Sequence, residues 1–128
     1  MTDIEVGTLY EANKEAYKNL TPPNEKELDN QLASIGAWFS SKYKDTYFML
    51  LCRELYDFTI FKLEGSEYFE AVQELKEVLE SRGTILEIVY SHDFHFYECW
   101  IKDKNGEVFM YAFFPCDDFV IEIGENNE

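Results

Sequence analysis

This 128-residue sequence is poor in cysteine, glycine, long apolar runs and basic residues, and each shortage excludes a class of function. Its three cysteines have no paired spacing, which excludes a disulfide framework and is typical of reduced thiols in a cytoplasmic protein. Six glycines are scattered singly, so no glycine-rich loop can hold a phosphate. No apolar run approaches the roughly 18 residues of a membrane span, and residues 1–6 lack the features of a secretory signal.

The shortage of basic residues leaves a strongly acidic chain: 11 Lys and Arg stand against 26 Asp and Glu, for a formal net charge of −15. Such a chain repels nucleic-acid phosphates and anionic lipid, so we expect no direct binding to nucleic acid or to membranes. A partner attracted by charge is expected to be basic. The charge is distributed unevenly along the chain, since the formal charges of residues 47–63 sum to zero.

Apolar residues recur at helical spacing in three segments. The first segment contains Leu9, Ala12, Ala16 and Leu20 at this spacing. The second begins at a capping box formed by Asn24 and Glu27, and the third ends before Gly83. The predicted helices cover residues 8–20, 24–43 and 66–82.

The remaining apolar segments predict six strands. A hairpin spans residues 47–64, with its turn near residues 54–57. The last four strands form an antiparallel meander, at residues 85–90, 94–102, 107–114 and 119–123. The order ααββαββββ predicts a single α+β domain over residues 1–128, with residues 1–7 and 125–128 frayed.

The dipeptide Asn105-Gly106 predicts a two-residue hairpin turn, which fixes the pairing of its flanking strands. In that register Trp100 pairs with Tyr111, and both lie on one aromatic face with Phe96, Phe109 and Phe113. The opposite face, with Tyr97, Cys99, Ile101, Met110, Ala112 and Phe114, is apolar too. We therefore expect either that both faces are covered within the chain or that the aromatic face meets a partner.

The side chains most suited to chemistry gather in HDFHFYECW, residues 92–100. His95 and Cys99 share a strand face but lie about 13 Å apart, too far to ligate one metal ion. A site at His92, Asp93 and His95 is geometrically possible, but there is no other histidine to complete it. The cysteines lie in or beside apolar strands, where a thiol is inert. We expect no catalytic residue, no metal site and no cofactor.

An acidic row lies along the third predicted helix, where Glu67, Glu70, Glu74 and Glu77 are three or four positions apart. Neighbouring side chains at this spacing lie about 5–6 Å apart, close to the phosphate spacing of a nucleic-acid strand. The row could therefore occupy the basic groove of a nucleic-acid-binding protein, and Asp117 and Asp118 add charge from the acidic C-terminal third of the sequence. The alternative is a solvated helix face in an acidic protein.

Two stretches, YFMLLCRELYDFTIFKL (47–63) and YECWIKDKNGEVFMYAFFPCDDFVIEIG (97–124), resemble small uncharacterised acidic proteins encoded by bacteriophages. The shared features are patterns of core residues, and no catalytic residue carries over. The resemblance implies expression in the cytoplasm of a bacterial host and binding to host machinery.

These observations lead to two hypotheses. The first is a non-enzymatic inhibitor of a host nucleic-acid-binding or defence protein, in an anti-CRISPR-like or DNA-mimic role. Its contacts would be the acidic residues of the third helix together with Asp117 and Asp118. The second is an interaction module that dimerises through the aromatic face around Trp100 and Tyr111.

Overall fold

The computed structural model describes residues 13–42, 47–52, 54–62, 68–92 and 94–116, which form three helices and five strands. The helices are α1 (residues 13–18), α2 (Glu25–Lys42) and α3 (Tyr68–Arg82). The strands are β1 (Tyr47–Cys52), β2 (Asp57–Lys62), β3 (Thr84–Ser91), β4 (Phe96–Lys102) and β5 (Val108–Cys116). The predicted α+β class is confirmed.

All five strands pair antiparallel in one sheet with the order β2-β1-β5-β4-β3. The predicted hairpin is confirmed as β1 and β2, and β3 to β5 form three of the four strands predicted for the meander. The meander does not stand alone, however, because β1 pairs with β5 and joins the hairpin to it. The predicted strand at 119–123 and the predicted frayed ends lie outside the described residues.

Helices α2 and α3 pack against one face of the sheet, here called the inner face. The side chain of Asn24 accepts a hydrogen bond from the backbone N–H of Glu27 at 2.9 Å, which confirms the predicted cap of α2. Both helices bury the apolar residues that recur at helical spacing, namely Leu32, Ile35 and Phe39 of α2 and Val72, Leu75 and Leu79 of α3.

The hairpin between β4 and β5 is closed by Asp103 and Glu107, which enclose the three residues 104–106, so the predicted two-residue turn is wrong. The backbone N–H of Asp103 bonds to the carbonyl of Glu107 at 2.8 Å, and that of Gly106 bonds to the carbonyl of Asp103 at 3.0 Å. Gly106 has φ of 85°, as in a type I turn followed by a glycine bulge. Trp100 consequently pairs with Met110 rather than with Tyr111.

This slip of one residue moves every β5 side chain to the opposite face from the predicted one. The inner face therefore carries Phe109, Tyr111 and Phe113 beside Tyr97, Cys99 and Ile101. The other face, here called the outer face, carries Phe96, Glu98, Trp100, Met110, Ala112 and Phe114.

Helix α1 packs on the outer face, through a residue that the sequence pattern did not single out. Tyr17 stacks on Trp100 with ring centroids 4.3 Å apart and planes 13° apart. Ala16 and Leu20, which recur at helical spacing in this segment, are exposed, and the larger ring of Tyr17 makes the contact with the sheet instead.

Candidate protein-binding surfaces

The acidic residues of α3 form an exposed row on the side of the helix that faces away from the sheet. Its described members, called the acidic row below, are Glu70, Glu74, Glu77 and Glu80. Their orientation follows from the burial of Val72, Leu75 and Leu79, which fixes the opposite side of α3 against the core. Glu67, Asp117 and Asp118 lie outside the described residues.

The two cations of α3 are directed away from the acidic row. Lys76 Nζ lies 3.8 Å from a carboxylate oxygen of Asp29 in α2, and Arg82 pairs with Asp57 in β2 at 2.8 Å. Within the described part of the chain, no carboxylate of the row forms an ion pair. The row therefore presents four carboxylates to solvent without an intramolecular counterion among those residues.

Trp100 and Tyr111 lie on opposite faces of the sheet, and both are buried, at 2% and 3% exposure. The ring of Trp100 is covered by Tyr17, and its Nε1 donates a hydrogen bond to Glu98 at 3.2 Å. Tyr111 lies beneath the helices of the inner face. The predicted aromatic face shared by these two residues is therefore wrong, and neither ring is accessible to a partner in this structure.

Helix α1 is held to the outer face by polar contacts as well as by the Tyr17 ring. The hydroxyl of Tyr17 donates a hydrogen bond to the carboxylate of Glu87, and Lys102 Nζ donates one to the carbonyl of Lys18 at 3.1 Å. Burial and the Glu87 carboxylate both raise the pKa of Tyr17. These contacts place α1 over one end of the outer face and occupy the carboxylate of Glu87.

A polar cluster joins the end of α3 to the edge strand β2. Arg82 donates hydrogen bonds to both carboxylate oxygens of Asp57, at 2.8 and 3.1 Å, and to the hydroxyl of Thr59 at 2.9 Å. The hydroxyl of Tyr111 donates to the same carboxylate at 3.3 Å. Burial, the main cause, raises the pKa of Tyr111 to about 12. Because Arg82 donates to both carboxylate oxygens of Asp57, the cluster stabilises the contact between α3 and β2.

The segment HDFHFYECW is divided between a turn and a strand. Phe94 and His95 lie in the turn, and β4 begins at Phe96 rather than at residue 94. His92 and His95 are exposed, whereas Cys99 is fully buried and burial raises the pKa of its thiol. Asp93 is not among the described residues, and within those residues no three His, Cys, Asp or Glu side chains come together.

The outer face also carries a strip of apolar side chains that the predicted register did not assemble. Ile60 pairs with Met49 and Met49 with Phe114, whose ring lies 6.0 Å from that of Phe96. Phe94 stacks on Phe96 at 5.7 Å, and Phe58 lies on the same face of β2. We call these residues the apolar strip: Met49, Phe58, Ile60, Phe94, Phe96 and Phe114. Phe58 and Phe94 are 43% and 59% exposed, and the other four are half-buried.

A sequence signal for the correct register, and hence for the strip, was present in Asp103-Lys104-Asn105-Gly106. Aspartate at the first position and glycine at the fourth are typical of a type I turn. The carboxylate of Asp103 accepts hydrogen bonds from the backbone N–H groups of Asn105 and Glu107, both at 2.9 Å. Asn105-Gly106 alone predicted a shorter turn, whose register places Phe96 and Phe114 on opposite faces of the sheet.

No protein-family model, curated protein or solved structure matches this chain. No helix among the described residues is long and apolar enough to cross a membrane. The resemblance to bacteriophage proteins and the expected basic partner remain predictions.

Proposed function

We propose that this protein is a non-enzymatic acidic binding protein that occupies the basic groove of a host nucleic-acid-binding or defence protein. An anti-CRISPR-like or DNA-mimic role in a bacterial host would be one form of this activity. The observation that supports the proposal best is the exposed acidic row of α3, whose members have no ion-pair partner among the described residues.

The acidic row suits this role because it is both charged and rigid. Helix α3 is fixed by three buried side chains, so its carboxylates are held at helical spacing before a partner arrives. A preorganised surface loses less conformational entropy on binding than a flexible acidic tail. The net charge of −15 adds a long-range field that accelerates encounter with a basic partner.

The proposal is tested by capture of proteins from a bacterial lysate on the immobilised full-length chain at increasing salt. We expect basic nucleic-acid-binding proteins to be captured near physiological salt and released towards about 1 M, where the Debye length falls from about 8 Å to about 3 Å. A captured protein is then purified, and its binding to nucleic acid is measured with and without the acidic protein. The acidic protein should displace the nucleic acid.

The matched variants differ in where the same charge is removed. The triple variant Glu70→Gln, Glu74→Gln, Glu77→Gln should lose capture and displacement. The control Glu15→Gln, Glu25→Gln, Glu107→Gln removes three exposed carboxylates elsewhere and should retain most of both. Equal losses in the two triple variants, or capture that is insensitive to salt, would reject the role of the acidic row.

A further inference from the structure

Helix α1 is bound to the sheet much less extensively than the other two helices. Of its six described residues, four are exposed and only Lys14 and Tyr17 are half-buried. By contrast, α2 and α3 each insert several buried side chains into the main core, among them Ile35 and Leu79. A helix as short as α1 is not stable by itself in water, because its few internal hydrogen bonds do not offset the cost of forming the first turn. It therefore persists only while it is docked on the sheet.

The apolar residues beneath α1 form a hydrophobic cluster that is distinct from the main core. Its buried members are Leu86, Trp100 and Val108, each 2% exposed, and Tyr17 and Met110 pack against them. The main core lies on the inner face under α2 and α3, and none of its described members comes from α1. Departure of α1 therefore uncovers the small cluster without removing a side chain from the main core.

The other attachments of α1 are polar contacts near its two ends. Lys102 Nζ donates a hydrogen bond to the carbonyl of the last α1 residue at 3.1 Å. Lys14 pairs with Glu54 at 3.0 Å, and its Nζ lies 5.2 Å from the ring centroid of Phe109. Surface ion pairs of this kind contribute little to stability. Among the described residues of α1, the ring of Tyr17 is therefore the main apolar contact with the sheet.

The connection between α1 and α2 allows α1 to leave while α2 stays in place. Residues 19–24 form neither helix nor strand, and they include Pro22 and Pro23. Proline has no backbone N–H, so the two helices cannot merge into one continuous helix. The hydrogen bonds of Asn24 run to Glu27 and Leu28, within α2 itself. The cap of α2 consequently does not depend on α1.

We infer that α1 is a strap, which opens from the outer face while the sheet, α2 and α3 remain folded. Opening exposes the ring of Trp100, whereas Tyr111 stays buried under the helices of the inner face. The side chains of β5 that lie on the outer face, from Val108 to Phe114, then form one uncovered apolar row that continues into the apolar strip. The strap thus controls how much apolar surface this side of the molecule presents. It is independent of the acidic row, which lies on the other side of the sheet.

The test is hydrogen exchange of the full chain, measured by NMR in increasing urea below the unfolding transition. The indole N–H of Trp100, buried under Tyr17, reports the opening of the strap, whereas the backbone N–H groups of Cys99 and Ile101 report separation of the central strands. After correction for intrinsic rates, we expect the indole to exchange about tenfold or more faster than these backbone groups. Its rate should also depend little on urea, because a local opening exposes little surface.

Two variants separate opening of the strap from global unfolding. Tyr17→Ala removes the ring that covers Trp100 and should raise the exchange rate of its indole by about tenfold or more. Val72→Ala removes buried side-chain volume from α3 in the main core. It should raise the exchange rates of the Cys99 and Ile101 backbone groups by about tenfold and leave that of the Trp100 indole within about twofold of the wild type.

Three results would overturn the inference. The first is an indole of Trp100 that exchanges in the wild type at the same rate, and with the same dependence on urea, as the backbone groups of Cys99 and Ile101. The second is an indole rate that Val72→Ala raises as much as it raises the backbone rates. The third is an indole rate that Tyr17→Ala leaves unchanged. The first two results decide the question even where Tyr17→Ala does not fold.

Discussion

The guanidinium of Arg82 donates a hydrogen bond to each carboxylate oxygen of Asp57, from Nε at 2.8 Å and from Nη2 at 3.1 Å. These bonds connect the last turn of α3 to the first residue of β2, 25 positions earlier in the chain. The planar guanidinium fits a carboxylate in this two-bond geometry, which a lysine ammonium cannot reproduce. The ring of Tyr111 lies under the guanidinium, with its centroid 5.6 Å from Cζ of Arg82, so an aromatic ring also borders this ion pair.

We expect Arg82→Lys to lower the free energy of unfolding by about 1–2 kcal/mol, because the charge remains but the second hydrogen bond and the bond to Thr59 are lost. Urea denaturation measures this change. The control Lys76→Ala removes a cation from the same helix whose contact, at 3.8 Å, is with the exposed carboxylate of Asp29, and it should cost less than about 1 kcal/mol. Equal losses would show that the two-bond geometry contributes nothing.

The raised pKa of Tyr111 predicts a loss of stability at alkaline pH. Burial raises this pKa from 10.0 in a free tyrosine to about 12, so the folded protein retains a proton that the unfolded chain releases. The stabilising contribution is complete below about pH 10 and is lost as the pH rises through 12, since the unfolded state then binds fewer protons. Two pKa units correspond to roughly 2–3 kcal/mol.

Urea denaturation between pH 9 and pH 12 measures this effect, and Tyr111→Phe is the matched variant. The variant should lose less stability over that range than the wild type does. It should not become wholly insensitive, because burial also raises the pKa of Tyr97 and of Cys99. Identical slopes for variant and wild type would contradict the prediction.

Gly83 and Gly106 both have positive φ, but only Gly83 is closely approached by another strand. A Cβ at residue 83 would overlap the carbonyl oxygen of Lys102 and lie 2.9 Å from Cγ2 of Ile101, whereas at residue 106 nothing lies within 4 Å. We expect Gly83→Ala to cost roughly 2–4 kcal/mol from overlap and backbone strain together. Gly106→Ala should cost about 1 kcal/mol from the backbone alone. Thermal and urea denaturation of the two variants would show whether their order is as predicted.

Local features of this fold could be predicted because the information lies within a few residues. The cap at Asn24, the buried side of α3 and the β1–β2 hairpin each follow from a short pattern, and the exposure of Glu70, Glu74 and Glu77 follows from the burial of the opposite side of their helix. The orientation of the acidic row could therefore be predicted from the sequence, although its role remains a proposal.

Non-local features could not be predicted in the same way. Trp100 and Tyr111 were assigned to a shared surface because a turn one residue shorter reverses the faces of β5, and both strands are apolar on both sides. The hydrophobic pattern therefore could not reveal the error. The pairing of β1 with β5 could not be predicted for a related reason, since several apolar strands were equally suitable neighbours for β1.

The β1–β5 pairing joins residues 47–51 to residues 112–116, which are 61 to 69 positions apart in the chain. During synthesis at about 5–20 residues per second, β1 is complete several seconds before its second neighbour exists. Throughout that interval one edge of β1 and the apolar side chains of the hairpin have no partner within the sheet. The nascent chain thus exposes a strand edge that can pair with other chains, and rapid completion of β5 ends that exposure.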